Sequence, residues 1–224
     1  MSDFARKYIQ KSHSLIKEYT IGDMALVVKD NLVGEINFNN ILNVLKNLPS
    51  PIIRTADAIY VGEFPFLKKR QVDALFDERT IYVSNDLQSE QEFLKNIIHE
   101  FAHGCEELYY SDIYEDGSIK QEFLNKRSRM YDILSAYGFN QLPKESFLNA
   151  EYDEQFDQYL YKTIGYAKLG TLCGGIFLSP YASTSLREYF ANGFEKYFLA
   201  DREQVKSISP ALFTKLDLFT NIPV

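Results

Sequence analysis

His99-Glu100-Phe101-Ala102-His103 is the stretch from which the rest of the chain is read. Two histidines four residues apart stand about one turn apart on the same face of a helix, where both imidazoles can grip one zinc ion. The glutamate after the first histidine projects to one side, where it can accept a proton from water. The flanking sequence agrees with a helix. From Phe93 to Tyr109, apolar residues recur at Leu94, Ile97, Ile98, Phe101, Ala102, Cys105 and Leu108, the spacing of one helical face. His99 and His103 fall opposite that stripe, with Lys95, Asn96, Glu106 and Glu107. They are therefore not ordinary core histidines, and a solvated surface pair is the remaining bland alternative.

A catalytic zinc needs a third protein ligand and one open position. Position 106 is Glu and position 109 is Tyr, so the longer pattern with a third histidine on the same stretch is absent. The only other histidine is His13, near the start. The ligand is thus expected to be a carboxylate from another helix. Beyond Ser185, the residues Leu186, Phe190, Gly193, Phe194, Tyr197 and Phe198 define an apolar face, with Glu188, Asn192 and Glu195 on the reverse. Glu188 is the first candidate and Glu195 the reserve. Ser185-Leu186-Arg187-Glu188 is equally a capping box, in which Glu188 serves the helix start. The sequence leaves both roles open.

Working outward, 224 residues suit one domain, 1–224, with a sizeable core. The net charge is −7, with acid concentrated between Glu145 and Asp157, which argues against nucleic acid and anionic membranes as partners. No apolar run approaches the roughly 18–20 residues of a membrane span. The opening Met1-Ser2-Asp3-Phe4-Ala5-Arg6-Lys7 lacks the features of a secretory signal. The chain as written reads as cytoplasmic, with secretion by a trimmed or non-classical route as the alternative. Cys105 and Cys173 do not make a disulfide framework, and Cys105 serves the apolar stripe as a small hydrophobe.

Residues near 4–18 read as helical, Met24–Val28 and Leu32–Phe38 as strands around Lys29-Asp30-Asn31, and Ile41–Leu48 as a short helix stopped by Pro49. Ala58–Glu63 and Thr80–Ser84 are β-rich. Helices follow at about 119–137 and 146–167, then a glycine-containing loop or short hairpin over Leu169–Leu178, a helix over about Ser185–Ala200, and a shorter one after Pro210. Strands early and helices late make an α+β chain. Its expected parts are an N-terminal lobe over about 1–109 with a small mixed sheet, a helical insertion over about 110–165, and a helical C-terminal lobe over about 166–224. If Thr80–Ser84 is an exposed edge strand, Tyr82 and Val83 are where an extended peptide would add.

The histidine motif, followed by Tyr181-Ala182-Ser183-Thr184-Ser185-Leu186-Arg187-Glu188 and an aromatic helix, resembles the anthrax lethal factor-like metallopeptidases, a group that includes the small clostridial Pro-Pro endopeptidases. The resemblance is specific at both motifs, extends to the Thr80–Ser84 strand, and is weak elsewhere. It implies a zincin-like fold and Zn²⁺ held by His99, His103 and Glu188, with Glu100 as general base. It also implies that Tyr181, seven residues before the ligand glutamate, stabilises the transition state. The stretch between His103 and Tyr181 is longer than in compact members, and the chain has no tryptophan, so a Pro-Pro preference is not carried over. The expected function is that of a monomeric zinc endopeptidase acting on an extended peptide or protein segment. A non-catalytic zinc-bound interaction module and another zinc amide hydrolase are the alternatives. An intact Glu100 and Tyr181 count against the first.

Overall fold

Residues 17–221 are described by the computed structural model, in two compact units, one running to Cys105 and one from Glu106. The first unit is built on a mixed sheet. Strands β1 (Lys17–Ile21) and β2 (Met24–Val28) form an antiparallel hairpin around Gly22 and Asp23. Gly22 has φ of 59°, a conformation that a glycine adopts without a Cβ penalty. β2 runs parallel to β3 (Ala58–Gly62), and β3 parallel to β5 (Thr80–Ser84). β4 (Ala74–Asp77) lies antiparallel on the outside of β5, giving the order β1-β2-β3-β5-β4.

The connection from β2 to β3 carries helices α1 (Phe38–Lys46) and α2 (Ser50–Ile53), and α3 (Pro65–Arg70) follows β3. The register sets Leu26, Ile59 and Ile81 in one row and Val28, Val61 and Val83 in the next. All six are buried, so alternate residues of three strands supply one core face. Each such burial contributes about 1.5–3 kcal/mol relative to exposure. The motif helix α4 (Glu90–Leu108) follows β5.

Two expectations about the first unit need correcting. Leu32–Phe38 is not a strand. The chain is irregular until Asn37, whose side chain accepts the N–H of Asn39 and starts α1. Gly34 passes so close to the carbonyls of Leu87 and Gln88 that a Cβ would meet them at 2.6 Å, and Val33 N–H bonds to Asn85 O at 3.0 Å. This apolar run therefore straps the loop after β5 rather than forming a ladder. The helix read near 4–18 lies outside the described residues except at Lys17 and Glu18, which open β1.

The second correction concerns Tyr82 and Val83. β5 is flanked by β3 and β4 and is not an edge; the edge on that side is β4. Val83 is buried, and the Tyr82 ring sits among Tyr60, Phe64 and Phe66 at 5.1–6.0 Å between centroids. The hairpin that hides β5 turns at Glu78 and Arg79, both left-handed with φ of 45° and 60°. Such turns usually announce themselves with glycine or asparagine, and this one does not. Arg79 is instead held from outside, its guanidinium on Asp57 at 2.6 and 3.0 Å and on Arg54 O at 2.9 Å.

The second unit is helical. It comprises α5 (Tyr110–Tyr114), α6 (Ser118–Ala136), α7 (Lys144–Phe147), α8 (Glu154–Gln158), a π-helical turn (Tyr159–Ile164) and α9 (Tyr166–Leu172). A 3₁₀ turn (Tyr181–Ser183), α10 (Leu186–Leu199), α11 (Arg202–Ile208) and α12 (Pro210–Asn221) complete it. Its core is aromatic: the rings of Phe147 and Phe156 meet edge-on at 5.0 Å, and Phe123 lies 5.4 Å from Tyr189. The single helix expected over 146–167 is broken. Asp153 accepts the Phe156 N–H at 2.7 Å and restarts the helix as α8, and Gly165, with φ of 84°, ends the π turn. The chain is thus α+β with a five-stranded mixed sheet. Among the described residues no helix is long and apolar enough to cross a membrane.

Candidate metal centre

The motif helix is fixed from its apolar side. Phe93, Ile97, Ile98, Phe101, Ala102 and Cys105 of α4 are fully buried, whereas Leu108, expected to extend the stripe, is exposed at the helix end. The polar side is also withdrawn from water: His103 and Glu100 are 6% and 7% exposed, and His99 is half-buried. That excludes a solvated surface pair. The imidazoles of His99 and His103 meet nearly perpendicular, 4.8 Å between centroids.

Two residues outside the motif set where the helix lies. A Cβ on Gly104 would meet Thr55 Oγ1 at 2.8 Å and a Phe76 ring carbon at 2.9 Å, so the backbone approaches as only glycine allows. Next to that contact the N–H of Phe76 donates to Glu100 Oε2 at 2.6 Å. Asp73 O accepts from Ser84 N–H, and the alternation of an antiparallel ladder then turns the groups of Ala74 and Phe76 away from β5. The edge strand thereby spends an outward donor on orienting the glutamate, in a short, charge-assisted bond. Neither role was read from the sequence. The one available signal was a glycine inside a strongly helical pattern, which points to close backbone approach.

The carboxylate arrives on α10. Ser185 is the extended N-cap, and its Oγ accepts the Glu188 N–H at 3.1 Å. The cap therefore uses the backbone of Glu188 and not its carboxylate. Upstream, Thr184 donates through both N–H and Oγ1 to Tyr181 O at 3.0 and 2.9 Å, winding the turn that leads into the cap. One ligand atom each from His99, His103 and Glu188 lies within 4.8 Å of the others. Glu195, the reserve, is buried and does not belong to this group.

Two nitrogens and one carboxylate oxygen suit zinc and leave a coordination position open. Glu106, one turn past His103, accepts from the Tyr114 hydroxyl at 2.5 Å and faces Arg187 Nε at 3.7 Å, next to Glu188 in sequence. Burial first, and the Glu106 charge second, push the Tyr114 phenol up, so it stays a donor.

Tyr181 opens the 3₁₀ turn and is 42% exposed, with its ring against Tyr166 at 6.3 Å. Tyr166 is in turn held by Asp157, which accepts its hydroxyl at 2.9 Å. Tyr82 and Val83 are not part of the metal group. Cys105 and Cys173 are buried thiols that are not joined in a disulfide. Burial pushes the Cys173 thiol up to about 11, which keeps it protonated and inert as a nucleophile. Compared with known protein families, curated proteins and solved structures, the chain has no match.

Proposed function

We propose that this chain is a zinc-dependent endopeptidase with a zincin-like arrangement, similar to the lethal factor-like peptidases. The reading rests on one observation: Glu188, remote in sequence, converges with the motif histidines His99 and His103 to within 4.8 Å. In this reading those three residues hold the ion. When bound, zinc supplies a Lewis acid that makes water nucleophilic near neutral pH and polarises a carbonyl.

Glu100, its carboxylate oriented by the Phe76 N–H, accepts the proton of the attacking water and delivers it to the leaving nitrogen. The Tyr181 hydroxyl donates to the oxygen on which negative charge gathers as the amide is attacked. An extended peptide or protein segment runs along β4, the sheet edge beyond β5, and pairs there with outward main-chain groups other than the Phe76 N–H, which Glu100 holds. This role replaces the one first assigned to Tyr82 and Val83. All the residues invoked belong to one chain, so a monomer suffices.

The test is a peptide library incubated with zinc-loaded protein, with and without a chelator. Cleavage abolished by the chelator and restored by added zinc is the expected result. Stoichiometric zinc binding without cleavage of any peptide would overturn the peptidase reading and leave a zinc-bound interaction module.

A further inference from the structure

The middle of α6 carries a cation where its neighbours are core residues. Arg127 is 1% exposed, and among the described residues it forms no ion pair with a carboxylate. Its guanidinium stands over the Phe156 ring at 3.7 Å, with the Phe123 and Phe147 rings at 5.3 and 5.9 Å. The remaining contacts are to backbone carbonyls. Nη1 donates to Ser183 O at 2.6 Å and to Thr184 O at 3.3 Å, and Nη2 donates to Ser146 O at 2.9 Å. Burial lowers its pKa to about 9, so it remains charged at neutral pH.

Cohesion alone does not account for this choice. A buried charge is penalised by desolvation, and apolar side chains of similar volume often serve a core as well or better. A guanidinium adds a rigid fork of donors that fixes its acceptors in direction as well as distance. Here the fork closes on the two carbonyls directly before the Ser185 cap. Tyr181 lies two residues before the first of them, and Glu188 four residues after the second.

We infer that Arg127 is a positioning residue for the metal site, fixing the Ser183–Thr184 backbone and with it the placement of Tyr181 on one side and Glu188 on the other. The inference rests on the function proposed above, since it gives those two side chains their roles. Arg127 itself touches neither of the reacting groups.

The experiment compares Arg127→Lys, which keeps charge and loses the fork, with Arg127→Met, which keeps bulk and loses the donors. Arg129→Met, at an exposed position on the same helix, is the control. Amide exchange across 181–189, zinc affinity by competition with a chromogenic chelator, and kcat and KM are measured separately. Both Arg127 variants are expected to lose exchange protection over that segment and about 10–100-fold in zinc affinity. Both should also lose about 10²-fold in kcat, with KM within about twofold. The control should change none of these.

A folded Arg127→Met protein with unaltered zinc affinity and kcat overturns the inference. So does a variant that loses only thermal stability. If Arg127→Met does not fold, Arg127→Lys decides by the same readouts. Wild-type protein that neither binds zinc nor cleaves peptides defeats the peptidase reading instead. In that case unchanged exchange over 181–189 in the variants would separately defeat the positioning role.

Discussion

Glu100 receives the backbone N–H of Phe76 at 2.6 Å, so the acid of the histidine motif is anchored to the edge strand of the sheet. Glu100→Gln keeps an oxygen for that N–H and should leave fold and zinc content intact. Turnover should fall by about 10²–10⁴-fold, the usual contribution of a positioned proton acceptor. Metal analysis alongside a cleavage assay checks this, and undiminished turnover would remove Glu100 from the proposed chemistry.

Glu188 and Glu195 occupy the same helix, but only Glu188 joins the two histidines. Replacing Glu188 with Ala should lower zinc occupancy at limiting metal, while the Ser185 cap survives because it uses the backbone N–H of residue 188. Glu195→Ala should retain zinc. The opposite pattern would reassign the third ligand.

Gly104 lies in mid-helix, where alanine is ordinarily about 1 kcal/mol better. A Cβ there would meet Thr55 and the Phe76 ring at under 3.0 Å. Overpacking of this kind typically destabilises by about 1–3 kcal/mol, so Gly104→Ala should lower the urea midpoint. A midpoint equal to or above wild type would show that Thr55 and Phe76 yield.

Asp116 carries the clearest acid sensitivity. The Lys215 ammonium, and then the N–H and hydroxyl of Ser118, hold its carboxyl at about 2, below the ordinary 3.8. A depressed carboxyl stabilises the fold above its unfolded value, and that contribution disappears as pH falls through the folded one. The stability gap between wild type and Asp116→Asn should therefore be constant above 3.8 and close by about 2. The Asp116 carboxyl is exposed, so added salt should shrink the gap. A gap that persists in acid would contradict the assignment.

What the sequence made legible was periodic or chemically rare. The stripe from Ile97 to Cys105, the run Thr80–Ser84 and the helices at Ser118 and Leu186 all carry strong local patterns. The metal group was reachable because few histidines sit at the right spacing and α10 shows its acids on one face. What escaped depended on contacts remote in sequence. β4 is only four residues long and its hairpin turn carries no glycine, because Asp57 and the Arg54 carbonyl hold Arg79 in place of local chemistry. Arg127 looks like a surface arginine until the rings and carbonyls around it are known.

The shortness of β4 bears on what the protein would select. Four residues of strand extend about 13 Å, the Phe76 N–H within them is already held by Glu100, and any ligand segment beyond that window has no main-chain partners on this strand. Discrimination is then confined to a few consecutive side chains, and the flanks are free to vary. Partners recognised this way would share a brief signature rather than overall similarity.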